Sequence, residues 1–382
     1  MDSSQSRWMK SILYSAKTDI GLRRANNQDA HAIVLADSLS HWQEKGHLLI
    51  VADGMGAHAA GEVASQMATD TITMSYSKQV KELPPLALQK AVYDAHQQIR
   101  EQSGKDDAFR DMGTTVDALL LLPQGAVIAH VGDSRVYRWR NQKIEQLTFD
   151  HSLVWEVCVA FKLPFDQAPL DIPRNQITRS LGPTEKLKVD LEGPYTIEVG
   201  DVFLMCSDGL SGQINDQEIG QILEVLTPDD ATETLINLAN LRGGPDNITI
   251  IVAKAIESKE PVSQKPQGFF GAFLSLFREI RQSLFSPSLH ISSDVPYGNG
   301  PYTSHSCPPS AEFTEKLASI LQQFRQVTQN NKWEISWERA DLREEAALAA
   351  VHSRSYGTAI REYCLAINFL MQELKNQKPK KS

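Results

Sequence analysis

Apolar positions fall into short dense runs over the first two thirds of the 382-residue chain and into longer helical spacings over the last third. The runs HLLIVAD (47–53), TTVDALLLL (114–122), AVIAHVG (126–132), VYRWR (136–140), DVFLMCSD (201–208) and NITIIVAK (247–254) alternate or are rich in Val, Ile and Leu. That is the pattern of half-buried or fully buried strands. Residues 61–78 and 84–103 read as two helices, the second opening on proline, which a first helical turn tolerates. Strand runs with helices inserted as a pair predict packed sheets flanked by helices, not strict strand–helix alternation.

After Lys254 the texture changes, and 256–267 reads as a linker. In 268–285, Phe270, Phe273, Leu274, Phe277, Ile280 and Leu284 share one face of a helix. Few basic residues accompany them, so core or partner packing is favoured over a membrane interface. The stretch 286–310 reads as loop. Helical spacing returns at 311–328, with further helices over 342–351 and 359–374 hinged near 355–357. Residues 344–374 resemble a tetratricopeptide-type hairpin in their placement of Ala, Gly and Tyr. One such unit cannot bury its apolar face alone. It packs on the helix at 311–328, or docks on the preceding domain or on a partner. The expected division is 1–256 for one α and β domain, 257–310 for a linker with an amphipathic helix, and 311–382 for a helical region with a basic tail.

Composition narrows the function. With 47 acidic against 38 basic residues the net charge is −9, which disfavours contact with nucleic-acid phosphates. Four scattered cysteines without a CxxC pair argue against a disulfide framework or zinc ribbon and fit a reducing cytoplasm. No stretch approaches the ~18 apolar residues of a spanning helix, and the first residues lack the apolar core of a secretory leader. The expected location is cytoplasmic.

The informative residues are aspartates at the ends of apolar runs. Asp53-Gly54 follows LLIVA, Asp208-Gly209 follows VFLMCS, Asp246-Asn247 precedes ITIIV, and Asp29 precedes AHAIVL. Asp-Gly after a strand is commonly only a turn. Four such aspartates abutting apolar strands are harder to read that way. Carboxylates gathered without matching bases repel one another, and hard divalent cations relieve that repulsion. In the absence of a His/Cys ligand set, oxygen donors favour Mg²⁺ or Mn²⁺ over Zn²⁺.

Eight motifs in order then carry a resemblance: TDIGLRRANNQDA (18–30), VADGMGAHAAGEVAS (51–65), GTT (113–115), AHVGDSRVYR (129–138), LTFDHSLV (147–154), ITRSLG (177–182), SDGLSG (207–212) and GGPDNITIIV (243–252). Over about 15–255 the chain resembles the metal-dependent PPM-type protein phosphatases, the protein phosphatase 2C family, in their bacterial form. The resemblance implies an α+β fold: a four-layer α-β-β-α sandwich of two antiparallel sheets, here with a small all-α region added. It implies hydrolysis of phosphoserine and phosphothreonine by a water or hydroxide between two divalent ions, with no covalent intermediate. Asp53 is then the carboxylate bridging both ions, Gly54 contributes its backbone carbonyl, and Asp208 and Asp246 complete the ligand set. Asp29 is expected to act through water or from behind the ligands. Asp133 is expected to join Asp208 at a third ion. Arg24 matches the arginine that binds the substrate phosphate. The implied partners are phosphorylated proteins, targets of a Ser/Thr kinase, with a further partner possible for the helices at 311–374. A scaffold that has kept the fold and lost turnover is the alternative.

Three departures bear on the chemistry. Met55 stands where many eukaryotic members have a histidine that is a candidate acid. His58 is then the remaining candidate, as acid or as a group that orders water. Ala57 replaces a glycine of the usual GMGGH, and Gln28 replaces the glutamate of Asn-Glu-Asp, which removes one charge near the second ion. Among other polar residues, His130 reads as a packed strand histidine, His151 as shaping a loop, and Asp190 and Asp201 as turn acids. Residues 152–176 are expected to form a flap beside the site, with 155–165 as its helical part.

Overall fold

The computed structural model describes residues 11–56, 60–163, 168, 171–173, 176–257 and 297–377. His58, Ala57, the segment 268–285 and most of the basic tail lie outside them. One sheet is built from β1 (Ile12–Asp19), β7 (Arg135–Arg140), β8 (Lys143–Gln146), β10 (Val202–Cys206), β11 (Ile248–Ala255) and β12 (Thr303–Ser306), in the order β1-β11-β10-β7-β8-β12. The other contains β2 (Asp29–Val34), β3 (His47–Met55), β5 (Val116–Leu122), β6 (Gly125–Val131) and β9 (Asp190–Tyr195) in the order β2-β3-β5-β6-β9. A short β4 (Gly113–Thr114) pairs with β3. The pairings are antiparallel.

The apolar runs are dense because both faces of these strands are covered. On β3, Leu48, Ile50 and Ala52 face helices, whereas Leu49 and Val51 face the other sheet. The two-residue period of a strand sends alternate side chains to opposite faces. Leu49, Val51, Leu119, Phe203, Met205 and Ile251 fill the space between the sheets. Burying each such side chain contributes roughly 1.5–3 kcal/mol.

Helices α1 (Leu39–Lys45), α2 (Ala60–Lys78) and α3 (Pro84–Ser103) belong to the β2–β9 side. Ala64, Ala68, Ile72, Leu88 and Val92 of α2 and α3 pack on that sheet. A short α4 (Leu153–Phe161) starts two residues before the helical part expected over 155–165 and ends at Phe161, where Lys162 turns left-handed, and α5 (Asp208–Ser211) follows β10. Helices α6 (Asp216–Val225) and α7 (Pro228–Leu241) cover the outer face of the first sheet. The result is the α-β-β-α sandwich.

The C-terminal helices α8 (Ala311–Asn330), α9 (Glu338–His352) and α10 (Tyr356–Gln377) add a further layer over α6 and α7. Phe313, Leu317, Leu321, Ile360, Ile367 and Leu370 share one apolar core with Ile219, Ile222 and Leu235. Ser310 caps α8 by accepting from the Phe313 N–H, and its hydroxyl donates to Gln221 of α6 at 3.0 Å. Asn368 of α10 donates to Thr234 at 2.9 Å and accepts from Asn237 at 3.0 Å, both on α7. Within the hairpin, Ala347 and Ala359 are fully buried.

One reading of the sequence is corrected and another is extended. The stretch 286–310 reads as loop, yet Thr303–Ser306 pairs with Lys143–Gln146 as β12. Its residues TSHS carry no apolar alternation, so backbone pairing alone makes the strand. Asp201 is the turn acid that it reads as, accepting from the Glu198 N–H at 2.8 Å, and it is also buried and binds Arg140 through two bonds of 2.5 and 2.6 Å.

Candidate active site

Strand ends bring the predicted aspartates together. Asp53, at the end of β3, stands directly opposite Asp29, the first residue of β2. Asp208 opens α5 after β10, Asp246 precedes β11, and Asp133 follows β6. Asp53, Asp133, Asp208 and Asp246 line one cavity of about 250 Å³ together with Arg24, Gln28, Gly54, Met55, Thr115 and Ile177. Asp29 is not among the lining residues. It lies behind them, its carboxylate accepting from Ser207 Oγ at 2.7 Å.

The backbone of Asp53 is fixed by two threonines. Its N–H donates to Thr115 Oγ1 at 3.0 Å, and its carbonyl accepts from Thr114 Oγ1 and from the Thr115 N–H, both at 2.9 Å. Thr115 Oγ1 is also 2.8 Å from Ser134 Oγ, beside Asp133. One hydroxyl thus ties together the strand ends that carry two of the carboxylates. Gly54 has no room for a side chain: a Cβ there would lie 2.1 Å from the Gly61 carbonyl and 2.4 Å from that of Gln28. Asn247 secures the loop that carries Arg24. It accepts from the Gln28 N–H at 2.9 Å and donates to the carbonyls of Ile20 and Asn26.

Electrostatically the cluster is strained toward protonation. Burial, then the charges of Asp29 and Asp208, hold the Asp53 carboxyl well above its ordinary range. Burial, partly offset by the Ser207 bond, pushes Asp29 up to about 7, and burial with the Asp208 charge does the same to Asp133. Asp208 is raised by burial and by Asp246. Two cations oppose this: Arg135, whose charge lowers Asp133 and Asp208, and Arg24, half exposed, whose Nη2 donates to Asp246 Oδ2 at 2.6 Å. That bond raises the guanidinium's own pKa, so it stays charged.

The donor set suits a hard divalent cation. It consists of carboxylate and carbonyl oxygens, and Asp208 Oδ1 and Asp29 Oδ1 are buried with no hydrogen-bond partner among the described residues. No three acidic, His or Cys side chains among those residues converge on a single point. Asp246 explains part of this, since Arg24 holds one of its oxygens and the Asn247 N–H the other at 2.9 Å. An ion in the cavity would therefore depend on waters as well as on protein oxygens.

Thr115, Asn247 and Ser207 were not singled out from the sequence. They lie within the quoted motifs GTT, GGPDNITIIV and SDGLSG, which was the available signal. The two histidines also have defined work. His130 donates from Nδ1 to Asp117 at 2.6 Å and from Nε2 to the Phe149 carbonyl at 2.7 Å. Burial lowers its pKa, but the Asp117 charge and bond outweigh that and lift it to about 9. Burial pushes Asp117 up as well; with ring protons facing two acceptors, the geometry favours the imidazolium–carboxylate pair. His151 accepts from the Gly132 N–H at Nδ1, so Nε2 carries the proton and donates to Asp190 at 2.9 Å. Asp190, read as a turn acid, is thus a bonded partner that also meets Arg179 and Lys188.

Comparison with known proteins places this geometry. The family pattern described as protein phosphatase 2C matches residues 23–159. Protein phosphatase PhpP of Streptococcus pneumoniae is 37% identical over 248 residues, which make up 64% of this chain and 97% of that protein. The S. agalactiae serine/threonine phosphatase structure superposes with a TM-score of 0.57 at 35% identity, covering 65% of this chain and 100% of that one. The catalytic domain of the serine/threonine phosphatase PstP, in complex with two manganese ions, gives a TM-score of 0.55 at 31% identity, covering 64% of this chain and 99% of that one. About a third of the present chain lies outside these matches, while the shorter proteins are matched almost from end to end. The chain belongs to the protein phosphatase 2C family.

Proposed function

We propose that the chain is a metal-dependent phosphoserine/phosphothreonine protein phosphatase. The observation that carries this reading is a single cavity holding four carboxylates and one half-exposed arginine. Asp53, Asp208 and Asp246, with the Gly54 carbonyl, would hold two Mg²⁺ or Mn²⁺ ions, Asp29 acting through water and Asp133 at a third. When bound, such ions acidify water and neutralise phosphate charge. Arg24 grips phosphate oxygens through its planar fork, which also orients the phosphorus for in-line attack. Thr114 and Thr115 keep Asp53 in place through its backbone. The leaving seryl or threonyl oxygen takes a proton from water or from His58. No lysine, cysteine or serine nucleophile is required.

The family's relatives support a division into a catalytic unit over 1–256 and an added part beyond it. Among the described residues no helix is long and apolar enough to cross a membrane, and a cytoplasmic location fits the four free, buried cysteines. The substrates of this reading are phosphorylated proteins of a Ser/Thr kinase, with the outer helices available to one of them or to another partner.

The test is hydrolysis of p-nitrophenyl phosphate and phosphothreonine peptides by the full chain with Mn²⁺, Mg²⁺ or chelator. Metal-dependent release of phosphate is expected, abolished by Asp208→Ala. Activity indifferent to chelator, or kept by that variant, would overturn the metal mechanism. A preference for phosphotyrosine would overturn the substrate class.

A further inference from the structure

Residues 297–306 form a strap keyed to a buried acid. Glu192 of β9 is fully buried, and its carboxylate accepts from Tyr302 Oη at 2.6 Å and from the Gly300 N–H at 3.4 Å. A Cβ at position 298 would lie 2.0 Å from that carboxylate, so a side chain there would have to displace the buried Glu192 or the strap. The Gly298 N–H donates to the Leu191 carbonyl and the Tyr302 N–H to that of Gln146, at 2.6 and 2.8 Å. Strand β12 continues the attachment along β8.

From this anchored strap an aromatic series leads toward the cavity. The Tyr302 ring meets Phe149 edge-on, with centroids 5.4 Å apart and planes at 67°. Phe149 in turn meets Trp155 edge-on, at 5.2 Å and 87°. The Phe149 backbone is itself held by His130. Trp155 is a buried residue in the first turn of α4, whose N-cap Ser152 pairs with Ile177. Two more bonds join these segments: Leu153 N–H to the Gln176 carbonyl at 2.9 Å, and Thr178 Oγ1 to Glu156 at 2.6 Å. Ile177 lines the catalytic cavity. Arg135, two residues after Asp133, lies over the Trp155 ring at 5.7 Å.

We propose that the strap sets the position of α4 and Ile177 at the cavity wall, with Tyr302 as the positioning residue acting through Phe149 and Trp155. The part of the substrate affected is the polypeptide around the phosphorylated side chain, since the phosphate itself meets Arg24 and the carboxylates. The substrate side of this proposal rests on the phosphatase reading; the positioning of α4 does not.

The experiment uses the full chain and two substitutions. Tyr302→Phe keeps the ring and loses the bond to Glu192, whereas Tyr302→Leu removes the ring. Hydrogen exchange of 152–161 is measured by mass spectrometry, and KM is compared for a phosphothreonine peptide and for p-nitrophenyl phosphate. Tyr302→Leu should speed exchange in α4 by about two- to tenfold, the worth of one edge-to-face pair, and raise the peptide KM by a similar factor. Its KM for p-nitrophenyl phosphate should hold, and Tyr302→Phe, which keeps the ring, should change exchange and peptide KM less than Tyr302→Leu does. Unchanged exchange in Tyr302→Leu, or equal impairment of the Phe and Leu variants, would overturn the proposal, because an anchor working only through Glu192 predicts the latter. Should Tyr302→Leu not fold, Phe149→Leu breaks the same series and is judged by the same exchange. A parent without activity would overturn the functional reading, and exchange alone would still decide the positioning.

Discussion

Arg24 and Asp246 are bound to each other, Nη2 to Oδ2 at 2.6 Å, although the function proposed above gives one to phosphate and the other to metal. The bond gives the guanidinium a fixed place at the cavity before any phosphate arrives. Arg24→Ala should raise KM for phosphopeptides by about ten- to a hundredfold, since hydrogen bonds to charged groups are worth ~1.5–3 kcal/mol. Arg24→Lys should recover only part of this, lacking the fork. Asp246 loses a counter-charge in Arg24→Ala, so calorimetric Mn²⁺ affinity should hold or tighten. Weaker Mn²⁺ binding would show that Arg24 instead supports the metal site.

The carboxylate cluster makes the metal-free protein lose stability as its acids ionise between acid and neutral pH. Asp29 and Asp133 have folded pKa values raised to about 7. Their unfolded values lie near 3.9, so the unfolded chain loses these protons first. Stability of the chelated protein should therefore fall as pH rises from about 4 to 7. Saturating Mn²⁺ should flatten that slope, and Asp208→Asn should reduce it without metal. Thermal melts across this range check it; a metal-free stability that climbs throughout would contradict the electrostatics.

His151 works in the opposite sense. Burial, with the nearby charges of His130 and Arg179, lowers its pKa to about 4 despite the bond to Asp190. A proton on Nδ1 would break the bond from Gly132, next to Asp133. The unfolded histidine gains its proton near 6.5, ahead of the folded one, so this residue withdraws stability as pH falls from 6.5 toward 4. Nitrogen-resolved NMR should find His151 as the neutral Nε2–H tautomer down to about pH 4. Titration near 6.5 would count against it.

Gly220 of α6 tests the docking of the C-terminal layer. A Cβ there would lie 2.4 Å from Cys307 Sγ and 2.8 Å from its Cβ. Gly220→Ala should destabilise the full chain by roughly 1–3 kcal/mol, as overpacking does. Cys307→Gly in the same chain should give back part of that loss. Denaturant melts of the single and double variants measure the coupling.

What the sequence disclosed and what it hid follow one physical division. Asp53, Asp208 and Asp246 stood out because apolar strands stop beside them, and a strand's end is visible in its residues. Helix α8 was legible over 311–328 from its spacing, and the structure extends it to Asn330. Strand β12 was not, since TSHS has neither alternation nor β-branched bulk on one face. The long-range bonds of Asp201 and Asp190 could not be read because their partners, Arg140 and His151, are distant in the chain and only the sheet brings them near. Thr115 lay in a recognised motif, but a backbone clamp leaves no sign beyond the motif itself.

Strand β12 has a further consequence for the sheet that it terminates. A β-sheet's outermost strand offers unpaired N–H and C=O groups to any passing chain, and proteins blunt that offer with short polar strands. Here the outermost position beyond β8 is taken by four residues, TSHS, three of them exposed. The added third of the chain is therefore also a cover for its own catalytic unit. Without it β8 would become a template, and one sign of its loss would be self-association.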